Sequence, residues 1–150
     1  MAKKDVQIEV TNLAEVKASI RQFDKDVGKA MLEAVWKMAL AVETVAKGRL
    51  AGTLGSAKHY ITGRLASSVH WEMNKKSNDE FKPLNDEDRN LGVSSEDDEA
   101  IVGTNVSYAS KIEYDYDSFL RFAAEKNEPK FIKESEDAIN KLQKTREYKD

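Results

Sequence analysis

The sequence predicts an α+β domain with a long kinked N-terminal helix and a C-terminal helix packed on a small, mainly antiparallel sheet. Apolar residues recur at helical spacing over 13–50 and again over 131–142, which indicates the two helices. Residues 65–73 alternate between apolar and polar side chains, which is typical of a strand with one buried face. A second strand is predicted over 100–106, and a long acidic arm, residues 77–99, lies between the two strands.

Apolar and polar residues also alternate in the region before the first helix. Val6, Ile8 and Val10 alternate with polar residues and predict a short, half-buried strand. Asn12 is then the expected N-cap of the first helix, because its side chain can accept a hydrogen bond from a free backbone N–H. Gly28 weakens or kinks that helix without ending it.

The second half of the first helix, residues 29–50, carries two apolar stripes. One of them repeats at every fourth position through Leu32, Trp36 and Leu40. The other is formed by Met31, Val35, Met38, Val42 and Val45. A helix that is apolar around most of its circumference must be covered on two sides. Because only 40% of the residues are hydrophobic, we expect another subunit to cover Leu32, Trp36 and Leu40, which are the interface candidates.

The acidic arm holds nine acidic side chains and two basic ones, a net charge of −7 in a chain whose total is −3. Its high charge and its serine, asparagine and glycine content are typical of a mobile, self-repelling loop. We therefore expect residues 77–99 to be an extended loop, poorly ordered in the isolated subunit and not needed for folding.

Part of this arm resembles a calcium-binding loop. Asp86, Asp88, Asn90 and Asp97 match its positions 1, 3, 5 and 12, but Leu91 stands where a glycine is required for the sharp turn. A solvated acidic loop is therefore the preferred interpretation over a cation site.

The C-terminal helix is expected to begin near Asn127, because Pro129 is favoured in the first turn of a helix. Residues 144–150 are polar apart from Tyr148 and are predicted to fray. With 150 residues, the chain fits a single domain spanning 1–150.

Few residue types in this chain can carry out chemistry. It has no cysteine, which excludes disulfides, thiolate metal sites and a cysteine nucleophile. Its two histidines are interpreted as solvent-exposed, His59 in a loop and His70 on the polar face of its strand. Since no nucleophile–base set or phosphate-binding motif is found, we expect neither an enzyme nor a cofactor or metal site.

Charge and hydropathy limit the kinds of partner that the sequence supports. Lys47, Arg49, Lys58 and Arg64 could form a local positive patch, but the net charge of −3 argues against general nucleic-acid binding. No apolar run is long enough to span a membrane, and the two lysines near the N-terminus are not followed by the apolar segment of a signal peptide.

Three segments, in order and spacing, resemble the tail-component family of tailed phages and prophages, whose members are called head–tail joining, neck or tail-completion proteins. They cover a strand entry, a second strand with the turn after it, and the approach to the last helix. Their matching residues are Thr62, Gly63, Arg64 and Leu65, then Gly103, Thr104, Tyr108, Ala109 and Glu113, then Phe119, Leu120 and Arg121. We expect these residues to be structural, with Thr62 and Gly63 supplying a cap and a turn, and Tyr108 and Glu113 fixing a turn by hydrogen bonds.

The resemblance implies a structural virion protein, present in the host cytoplasm before assembly, that forms a homo-oligomeric ring at the head–tail junction. The ring, a hexamer or a dodecamer, would contact the head connector or stopper on one side and tail terminator or tube proteins on the other. DNA would meet it only by passing through. The alternatives are a tail terminator that stops tube polymerisation and a small accessory protein that contacts DNA or phosphate.

Overall fold

The computed structural model describes residues 13–52, 63–74, 76–93, 99–116 and 118–147. It has the predicted α+β class, with a long N-terminal helix, a long C-terminal helix and a three-stranded antiparallel sheet. The predicted strand at Val6–Val10, the Asn12 cap and most of the frayed tail lie outside the described residues.

The three strands lie in the middle of the chain, between the two long helices. The long helices are α1, Leu13–Leu50, and α4, Phe119–Glu147. Between them lie α2 at Arg64–Ser68, β1 at His70–Met73, β2 at Lys76–Ser77, a 3₁₀ turn at Asp86–Asp88, β3 at Ala100–Gly103, α3 at Ala109–Lys111 and a π-helical turn at Ile112–Tyr116.

The two long helices pack along each other in opposite directions. Val45 and Asn127 line one cleft between them, while Ala30 and Leu142 line another farther along. α1 continues through Gly28, and open space surrounds the position that a Cβ would occupy there.

The expected start of the last helix was wrong. α4 begins at Phe119, and Pro129 lies inside it. The preference of proline for a first turn is a local effect, whereas Phe119 and Ala123 are fully buried and anchor the earlier turns of α4 in the core. Tertiary packing therefore outweighs the cost of an interior proline.

The segment predicted as one strand, residues 65–73, divides into a short helix and a shorter strand. Gly63 has a φ of 70°, a left-handed conformation that glycine adopts without strain, and α2 follows it directly. In α2, Ser67 and Ser68 donate hydrogen bonds to the carbonyls of Arg64 and Leu65. Ser68 is buried together with Leu65 and Ala66, which the predicted alternation did not allow.

The second strand is also shorter than the predicted 100–106. β3 ends at Gly103, because the Thr104 hydroxyl accepts a hydrogen bond from the Val106 backbone N–H and turns the chain away from the sheet. Gly103 pairs regularly with His70, and a Cβ at Gly103 would be in ordinary contact with Leu91 at 3.6 Å. Neither a bulge nor a close backbone approach explains this glycine.

The sheet has the order β2-β1-β3 and places β1 in the centre. Successive side chains of β1 point to opposite faces. Trp71 and Met73 lie on the face towards α1, where they line a groove with Trp36. His70 and Glu72 lie on the other face, and His70 is fully buried rather than exposed as the sequence predicted.

The hydrophobic core lies where the end of α1 meets the segments after it. Its buried members are Val42, Ala46, Leu50, Leu65, Ala66, Val69, Val106, Ala109, Phe119 and Ala123.

None of the helices in the described ranges combines the length and the apolar character that a membrane span requires.

Phe119 provides a test of this core. It is 0% exposed, so Phe119→Ala removes most of a fully buried aromatic ring and should lower the free energy of unfolding by about 3–5 kcal/mol. Ile132→Ala, also on α4 but at a side chain that is 50% exposed, should change it by less than about 0.5 kcal/mol. Urea unfolding followed by circular dichroism measures both values, and equal losses would contradict the proposed core.

Candidate interaction surface

Each of the three segments that carry the family resemblance contributes a residue to the hydrophobic core. Leu65, Ala109 and Phe119 come from the three separate segments and belong to one core cluster. The hydroxyls of Ser68 and Thr104 are 2.6 Å apart and connect α2 to the end of β3. These residues therefore position elements of the fold, while the cap expected from Thr62 lies outside the described residues.

Glu113 holds the start of α4. Its carboxylate accepts hydrogen bonds from the backbone N–H groups of Leu120, at 2.9 Å, and Arg121, at 3.0 Å. These groups in the first turn of a helix have no partner within the helix, and a negative charge there is also favoured by the helix dipole. Tyr108, the other residue expected to fix this turn, is 40% exposed.

Residues 77–93 of the acidic arm pack on the domain through contacts that the expectation of an extended, poorly ordered loop did not include. It begins in β2, which pairs with β1. The Asn78 side-chain amide then donates a 2.6 Å hydrogen bond to the carboxylate of Glu43, which is buried in α1 and also pairs with Lys47 at 2.5 Å. The first turn of the arm is thus joined to α1.

The arm next covers the outer face of the sheet. The Phe81 ring stacks on the fully buried His70 ring, with centroids 3.8 Å apart and planes 4° from parallel. His70 contacts the Ser68 carbonyl through Nδ1 and the Glu72 carboxylate through Nε2. Glu72 in turn accepts a hydrogen bond from the Leu91 backbone N–H, so this face of β1 contacts the arm at two places.

A buried ion pair fixes the middle of the arm. Asp88 is 1% exposed and accepts a 3.1 Å hydrogen bond from the guanidinium of Arg64. This hydrogen bond raises the pKa of Arg64 above its ordinary value. The charge pattern of the arm had suggested repulsion, but Arg64 from outside the arm pairs with Asp88, and Arg89 of the arm itself pairs with Asp86 at 3.6 Å.

The calcium-like spacing in the arm does not produce a cation site in the described part of the chain. Asp88 points inward to Arg64, and the Asn90 side chain accepts a hydrogen bond from Gly92. Asp97 lies outside the described residues. No group of three or more histidine or acidic side chains placed to hold a metal ion occurs among the residues described.

The expected positive patch is also divided among local partners. Lys47 pairs with Glu43, Arg64 pairs with Asp88, and the Arg49 guanidinium lies 4.0 Å from the centroid of the Phe122 ring. Lys58 and His59 lie outside the described residues.

An exposed apolar groove lies between α1 and the sheet. Leu32 and Trp36 of α1, with Trp71 and Met73 of β1, line an open groove of about 340 Å³, which we call the tryptophan groove. Trp36 is 40% exposed, and its ring meets that of Trp71 edge to face at a centroid distance of 6.5 Å. The indole N–H of Trp71 is buried and donates to no atom in the described part of the chain.

Glu33 and Lys76 place charged groups in the lining of this groove. Glu33 forms a 2.8 Å ion pair with Lys37. Their hydrogen bond lowers the pKa of Glu33 and raises that of Lys37, so both stay charged around neutral pH. An apolar floor with a charged rim is the usual anatomy of a protein–protein contact.

The sequence found only part of this surface. Leu32 and Trp36 were expected on it, but Leu40, 39% exposed, instead lines the cleft between α1 and α4 together with Phe131. Trp71 and Met73 were expected only as buried strand residues. Their alternation gave the correct face, but the pairing of that face with Trp36 depends on where α1 crosses the sheet.

Comparison with protein-family models, with curated proteins and with solved structures finds no match. The resemblance to phage tail components therefore depends on the three short segments alone.

The stack of Phe81 on His70 provides a test of arm packing. Phe81→Ala should lower the free energy of unfolding by about 1–3 kcal/mol, because it removes buried apolar area from the outer sheet face. It should also speed amide hydrogen exchange across 78–93. Leu84→Ala, in the same arm but at a side chain that is 66% exposed, is the matched control and should change neither. If Phe81→Ala changes neither the free energy of unfolding nor hydrogen exchange, the arm is a poorly ordered loop, as the sequence predicted.

Proposed function

We propose that this protein is a non-enzymatic virion subunit of a tailed phage or prophage that forms a homo-oligomeric ring at the head–tail junction. The observation that carries the proposal is the tryptophan groove. Trp36 of α1 is 40% exposed there, next to Trp71 of β1, and the other apolar side of α1 is already used by the core. Tryptophans grouped in an open groove are typical centres of protein interfaces.

The distribution of charge supports a head-to-tail arrangement of subunits. Residues 1–75 carry an excess of basic side chains, whereas residues 76–150 are strongly acidic. In a ring made by head-to-tail contacts, each subunit presents two different surfaces to its neighbours. Charges of both signs within one chain let unlike surfaces attract and like surfaces repel when subunits associate.

The same charges suit a ring through which DNA passes. The net charge is −3, and Lys47 and Arg64 are paired with carboxylates of their own chain. Strong retention of a polyanion needs cations that are available to replace its counterions. A ring of this composition lets DNA pass through without binding it tightly.

Deletion of the gene in its phage tests the proposed role. We expect filled heads and separate tails that fail to join, which electron microscopy of lysates distinguishes from complete particles. Tails of abnormal length would instead identify a tail terminator. Normal infectious particles without this protein would overturn the proposal.

Trp36 tests the surface that carries the proposal. Trp36→Ala should weaken ring assembly by about 30-fold or more, the effect of a central interface aromatic, and should change monomer stability much less because the side chain is 40% exposed. Native mass spectrometry, with the protein alone and with a connector ring, measures assembly.

Tyr114→Ala is the matched control, since it removes an aromatic ring that is 75% exposed and lies outside the groove. If the Trp36 variant assembles as well as the Tyr114 variant, the groove is not part of the interface.

A further inference from the structure

We propose that residues 6–10 of one copy add as a fourth strand in a second copy, at the edge of β3 with which no described strand pairs. The partner is thus another molecule of this chain, and the contact is strand addition rather than side-chain packing alone. The proposal applies to any assembly of the chain and does not depend on the assembly's place in a phage particle.

The acceptor is an edge strand with little protection. β3 pairs with β1 on one side, and within the described ranges no strand pairs with its other side. Its sequence, Ala100-Ile101-Val102-Gly103, contains no charge and no proline, the devices that usually prevent an edge from pairing. Backbone N–H and C=O groups on such an edge are available to a further strand.

The donor is the segment before α1. Val6, Ile8 and Val10 alternate with Gln7 and Glu9, a pattern that predicts a strand with one apolar face. These residues lie outside the described ranges. A strand added to β3 could place its apolar side chains on the face that Trp71 and Met73 already share with α1.

Its own β3 is beyond the reach of this segment. Trp36 contacts Trp71, and Trp71 pairs with Val102, so β3 lies beside the second half of α1. Leu13 is about 35 Å from Trp36 along an unbroken helix with a rise of 1.5 Å per residue. Fully extended, the chain from Ile8 to Leu13 spans only about 17 Å.

Charge favours the same pairing. Lys3 and Lys4 precede the donor segment, whereas the acidic arm leads directly into the acceptor strand. A donor strand that runs parallel to β3 would therefore bring Lys3 and Lys4 towards the acidic arm of its neighbour. Because donor and acceptor lie at different places along α1, each copy can give one strand and receive one, which is a head-to-tail contact.

Cross-linking tests the pairing, since the chain has no cysteine of its own. We expect a short bis-maleimide to join Ile8→Cys of one copy to Ala100→Cys of another when the two variants are mixed at high concentration. Ala124→Cys, the same substitution at an exposed site on α4, is the control and should give no product with Ile8→Cys. No mixed product, or a cross-link within a dilute chain that carries both Ile8→Cys and Ala100→Cys, would overturn the proposal.

A second pair of variants separates the apolar from the polar side of the donor. Ile8→Glu should weaken self-association at least tenfold, and Gln7→Glu, which adds the same charge on the other side, should weaken it much less. Equal effects in sedimentation would contradict strand addition. Normal head–tail joining with Ile8→Glu would also refute the strand exchange while leaving the proposed function intact.

Discussion

A small sheet with two faces to cover is the constraint on which the rest of this structure depends. The strands have only four, two and four residues, so the sheet depends on packing against other segments for its stability. α1 covers the face of Trp71 and Met73, and the acidic arm covers the face of His70 and Glu72. Residues 77–93 of the arm therefore form the outer layer at this face, and the sheet lies between a helix and a segment with little regular structure.

A segment this acidic can cover the sheet only if its buried carboxylates have polar or basic partners and its other carboxylates stay in water. Asp88 is buried against Arg64, which comes from the turn at the start of α2, whereas Asp86 remains 97% exposed two residues away. Glu43 meets the arm from the opposite side and accepts from Asn78. A few buried polar contacts thus set where the arm lies, while most of its charge stays in water, where like charges repel weakly.

The sequence predicted the elements whose signal is local and missed those set by contacts between distant residues. The periodicity of α1 and the fold class were correct, and the turn at Gly63 has the left-handed backbone expected of glycine. Alternation misassigned 65–68 as strand, because two hydroxyls close a helical turn there. Composition gave no sign that Phe81 stacks on His70, since a partner eleven residues away leaves no periodic trace. The same limit hid Trp71 from the predicted interface, while Leu32 and Trp36 lay on one helix stripe and were found.

The edge-to-face pair in the groove has a spectroscopic consequence. The chain contains two tryptophans, Trp36 and Trp71, and both lie in this one groove. All indole emission from the protein therefore originates at the surface where a partner is expected to bind. A molecule that covers the groove would shift or quench that emission without any attached label, and the unlabelled chain can report its own association in solution.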